Sequence, residues 1–163
     1  ISLAAGLATG TIYNSCDSKH HVFREVVSTW FERIDSTRED IADDAPVRDQ
    51  LLAIVEADMR VTGEMEEFAR VAFREVLRPA SDEAAELLPD RDPIDAAIMQ
   101  AVEHGQAAGE LRQDRSASEL AHMFSTLVTG LLFEHWLPAS KVTLADIPAL
   151  VVGYYLEGAG APE

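Results

Sequence analysis

The residues of this chain best suited to chemistry lie between Gly6 and Phe23, and their types suit recognition better than catalysis. Ala4, Ala5 and Gly6 read as the end of a short helix. Gly6 supplies the permissive backbone of a tight turn and Leu7 an apolar plug beneath it. A second short helix is expected from about Ala8 to Asn14. Thr9, Thr11 and Asn14 make one side polar, Ile12 makes the other apolar, and Gly10 leaves a bare patch where a phosphate backbone could come close. Such a helix fits a major groove. Ser18 then caps a new helix, which sets Lys19 and free backbone N–H groups in its first turn, where they could meet a phosphate.

Ala5, Gly6, Gly10, Thr11, Tyr13, Ser18 and Lys19, with Leu7, Ile12 and Val22 as apolar equivalents, resemble the TetR family of one-component transcriptional regulators. The family pattern over this stretch runs A-G-V-S-x-G-T-L-Y-x-x-F-x-S-K-x-x-L. The resemblance implies that Thr11, Tyr13 and Lys19 hold phosphates, that Gly10 admits the backbone, and that Thr9 and Asn14 read base edges. It also implies a further helix ahead of Ile1. Two positions depart from the pattern. Ala8 stands where a serine usually caps the reading helix, a loss of about 1 kcal/mol. Cys16 replaces the aromatic that locks that helix to its neighbours, which removes about 1.5–3 kcal/mol of apolar burial.

Composition bounds the rest. The 163 residues suit one or two domains, and 47% hydrophobic residues are ample for a packed core. The formal charge is −16, yet it is unevenly spread: residues 1–38 balance four basic groups against four acidic ones, while residues 39–163 hold nine against twenty-five. This suits a reading head, residues 1–38, on an acidic body, residues 39–163, which phosphates repel. Cys16 is the only cysteine, which excludes an intrachain disulfide and a cysteine zinc site and fits a reducing cytoplasm. No apolar run reaches the roughly 20 residues that span a bilayer.

The pattern is helical throughout. Residues 18–43 show Val22, Phe23, Val26, Trp30, Ile34 and Ile41 at helical spacing. Pro46 opens a helix with Leu51, Leu52, Val55 and Met59 on one face, and Gly63 breaks it. Another helix is expected over about 65–77, with Pro79 as its stop. Ser81 caps a short turn, and Asp92-Pro93 starts a helix that runs to Gly109. Ser116 and Glu119 read as a capping box for a long apolar helix through Leu137, and a last helix begins between Leu144 and Pro148. The expected fold is all-α: a partial helix-turn-helix head plus a helical-bundle domain for ligand binding and dimerisation.

The two final helices are apolar over more than one stripe. Leu120, Phe124, Leu127 and Leu131 on one, with Val151, Tyr154 and Tyr155 on the other, are the expected dimer interface. By the resemblance they would close a four-helix bundle between two copies and place two heads on a palindromic operator. The resemblance also implies a ligand cavity in the body, for which Phe73, Met99, Met123, Phe133 and Trp136 are the candidate liners. The expected partners are an operator in double-stranded DNA, a small lipophilic effector and a second copy, with no membrane. Neither a catalytic constellation nor a cofactor motif is seen, and His104, His122 and His135 make no close-spaced metal pair. The competing expectation, motivated by Ala8 and Cys16, is a helical small-molecule-binding or interaction protein with a degenerate head.

Overall fold

A computed structural model of the chain describes residues 19–38, 45–76 and 93–159. Among these it is all-helical: α1 (Lys19–Arg38), α2 (Val47–Glu64), α3 (Glu66–Val76), α4 (Pro93–Ala107), α5 (Ala117–His135) and α6 (Ile147–Ala159). The chain divides into two compact units, Ile1–Ser36 with Val61–Asp92, and Thr37–Arg60 with Pro93–Glu163. The division therefore falls inside α1 and again inside α2.

In the first unit, α1 buries Val27, Trp30, Phe31 and Ile34, and α3 buries Phe68, Ala69 and Ala72. Each set recurs at three- and four-residue steps, so each helix offers one apolar stripe and keeps its charges outside. Glu66, Glu67, Arg70 and Arg74 form the exposed side of α3. Arg33 and Glu64 make an ion pair between exposed side chains.

The second unit holds the larger core. Its part of α2 buries Val47, Leu51, Ile54, Val55, Ala57 and Met59, which covers more than one face and makes this an interior helix. Its start is built from three directions. The Pro46 carbonyl accepts the N–H groups of Asp49 (2.9 Å) and Gln50 (3.1 Å). The Gln50 amide donates to the Ala45 carbonyl at 2.7 Å. Glu110, from beyond α4, accepts the Val47 N–H at 3.2 Å. A carboxylate there satisfies an orphan donor and faces the positive end of the helix dipole.

Helix α5 packs against both α4 and α6. It presents Leu120, Ala121, Phe124, Val128 and Leu132 to the core. The expected capping box is present: Ser116 Oγ accepts the Glu119 N–H at 3.2 Å, and Glu119 accepts the Ser116 N–H at 2.9 Å. Helix α4 ends two residues short of Gly109, which takes φ +75°. The Glu110 N–H then bonds to the Gly105 carbonyl (2.8 Å) and the Gly109 N–H to that of Gln106 (3.0 Å), a Schellman closure that needs a left-handed residue at that glycine.

Gly105 matters for another reason. A Cβ there would come within 2.7 Å of Val47 Cγ2 and 3.0 Å of Leu111 Cδ1, so the missing side chain is what lets α4 meet the first turn of α2. Arg112 ties the following loop to the end of α6, gripping Asp114 with two nitrogens (2.6 and 2.7 Å) and donating to the Gly158 carbonyl at 3.1 Å.

Candidate functional site

Thr9, Gly10, Thr11, Tyr13 and Asn14, together with Ala8 and Cys16, lie outside the described residues, as do the turn expected at Ser81 and the stretch 39–44. Lys19 is the first residue of α1. The helix expected over 18–43 is thus seen from Lys19 to Arg38, and it carries the chain from the first unit into the second.

On the second unit's side, α1 ends in a buried ion pair. Arg38 Nη2 lies 2.5 Å from Asp58 Oδ1, with the two side chains only 7% and 2% exposed. Withdrawing two charges from water is costly, and only their close mutual bond and further hydrogen bonding offset it. Their pairing has no local signal in the sequence, because the partners sit on different helices.

The expected dimer residues separate into two groups. Leu120, Phe124, Val151 and Tyr155 are buried in the subunit's own core, where Phe124 and Tyr155 meet edge to face with centroids 4.9 Å apart. These four leave no surface for a partner in this conformation. Leu127 and Leu131 are half-buried and Tyr154 is exposed. On the outward side of α5 stand Met123, Thr126, Gly130 and Phe133, and on that of α6 stand Leu150, Gly153 and Tyr154. Among the described residues a Cβ added at Gly130 or Gly153 would meet nothing within 4 Å. Burial on one side of α5 explains the split: residues 120, 124, 128 and 132 advance by one four-residue row, which leaves 123, 126, 130 and 133 facing away.

The expected ligand liners are also divided. Phe73 belongs to the first unit, half-buried beside Trp30, with ring centroids 5.9 Å apart. Met99 and Trp136 are half-buried in the second unit, and Trp136 lies 6.4 Å from His135. Met123 and Phe133 are 36% and 43% exposed. Sequence reasoning missed Trp30 as a candidate, having taken it for part of an apolar stripe. It is buried, and its indole N–H has no acceptor among the described residues.

Two of the perturbed carboxyls belong to caps. Hydrogen bonds from the Ser116 backbone and side chain hold the Glu119 carboxyl below its ordinary range, and the Thr143 side chain and backbone do the same for Asp146. Burial pushes the Tyr155 hydroxyl upward, so it stays neutral. His135 is held by the Val142 carbonyl, 2.9 Å from Nδ1. Among the described residues no group of three or more His, Cys, Asp or Glu side chains could hold a metal ion, and no helix is long and apolar enough to cross a membrane.

Comparison with known proteins agrees with the helical arrangement. Residues 44–133 match the family model described as Tetracyclin repressor-like, C-terminal domain. A crystal structure of a member of the TetR transcriptional regulator family from Streptomyces coelicolor A3 shares the fold, with a TM-score of 0.58 at 19% identity over 95% of this chain and 76% of that one. The curated proteins hold no match to the chain.

Proposed function

Since the chain belongs to the TetR family of transcriptional regulators, we propose that it is a homodimeric DNA-binding regulator, a cytoplasmic repressor that a small lipophilic effector releases from a palindromic operator. The observation that carries this reading is continuity. The stretch from Gly6 to Asn14, whose sequence reads as a glycine turn and a short polar helix, precedes α1 in the chain, and the other end of α1 is held by the buried Arg38–Asp58 pair. An effector that changed the packing around that pair would shift α1, and operator affinity would change by the difference in effector affinity between the two states.

In this reading Thr11, Tyr13 and Lys19 contact phosphates, Gly10 lets the backbone approach, and Thr9 and Asn14 read bases. The second copy packs on the outward side of α5 and α6, with Leu127, Leu131 and Tyr154 from the expected set joined by Met123, Gly130, Phe133 and Gly153. Glycine inside a helix costs about 1 kcal/mol relative to alanine. Among the described residues nothing approaches either glycine, so close contact with another backbone is the use that supports keeping them. Effector contacts in the second unit would come from Met99 and Trp136, which are half-buried.

The test is a mobility-shift titration of the intact protein against the DNA flanking its own coding sequence. Sequence-selective binding that weakens steeply with salt is expected. Lys19→Ala should weaken binding to all sequences alike, and Asn14→Ala should relax selectivity at one position of each half-site. Equal affinity of the intact protein for every duplex, unaffected by either change, would reject the reading.

A further inference from the structure

We draw no further inference here: the strongest candidate, the apolar outward face of α5 and α6 around Met123, Phe133 and Tyr154, belongs to the surface already assigned to a second copy, and nothing among the described residues shows any other partner that would cover it.

Discussion

Ser116 and Glu119 show how much one side chain can do at the head of a helix. The hydroxyl and the carboxylate each take an N–H that α5 would otherwise leave open. Ser116→Ala should cost about 1 kcal/mol, read as a lower midpoint in urea or heat with no change in helix content at low temperature. Glu119 adds a dependence on pH. Its carboxyl is held below its ordinary range by the Ser116 hydrogen bonds, so the charged form is favoured more in the folded chain than in the unfolded one. That contribution is present above the unfolded pKa and is lost as pH falls through the lower folded value. Thermal melts of wild type and Glu119→Gln should therefore differ most near neutrality and converge below about pH 4. Equal offsets at every pH would show that the carboxylate's charge is not involved.

At the scale of elements, starts and stops were legible while facings were not. Pro46, Ser116 with Glu119, and Gly109 announce themselves because capping chemistry is local, satisfied within a few residues. The side of α5 that faces inward depends on α4 and α6, and an all-round apolar sequence fits two stripes equally well; Phe124 went inward and Phe133 outward. Gly105 was invisible for the same reason, since its purpose is Val47 on another helix. Gly105→Ala should lower stability by about 1–3 kcal/mol through overpacking, measured by chemical denaturation. The Arg38–Asp58 pair offers a second test between helices. Asp58→Ala removes a carboxylate that pairs with the buried Arg38 guanidinium and should cost about 3–5 kcal/mol, whereas Arg38→Met combined with Asp58→Leu should recover most of the loss. A double variant as unstable as the single one would mean that the charges themselves, and not their pairing, hold α1 to α2.

For the whole molecule, family and fold class were readable from the chain, since the glycine-threonine-tyrosine and serine-lysine spacing carries the resemblance and helical periodicity carries the class. How subunits meet is a property of surfaces, and surfaces become known only once the core has claimed its residues. Gly130 gives the sharpest test. Among the described residues a Cβ there meets nothing within 4 Å, and lysine is the better helix former, so the melting temperature of the isolated subunit should hold or rise. If a second copy lies on that face, Gly130→Lys should convert the dimer to monomer in sedimentation velocity and weaken binding to a two-half-site operator far more than to a half-site. A dimer unaffected by Gly130→Lys would place the interface elsewhere.

The capping of α2 by Glu110 sets an order of events during synthesis. The Val47 N–H waits for a carboxylate that the ribosome delivers only after α4 has been made, and Gly105, which lets α4 come near, arrives just before it. A nascent chain halted ahead of this glycine would hold an interior helix with an open end and a bare apolar flank, a natural target for chaperones. The capped start of α2 is thus complete only once α4 and the turn that follows it have been made.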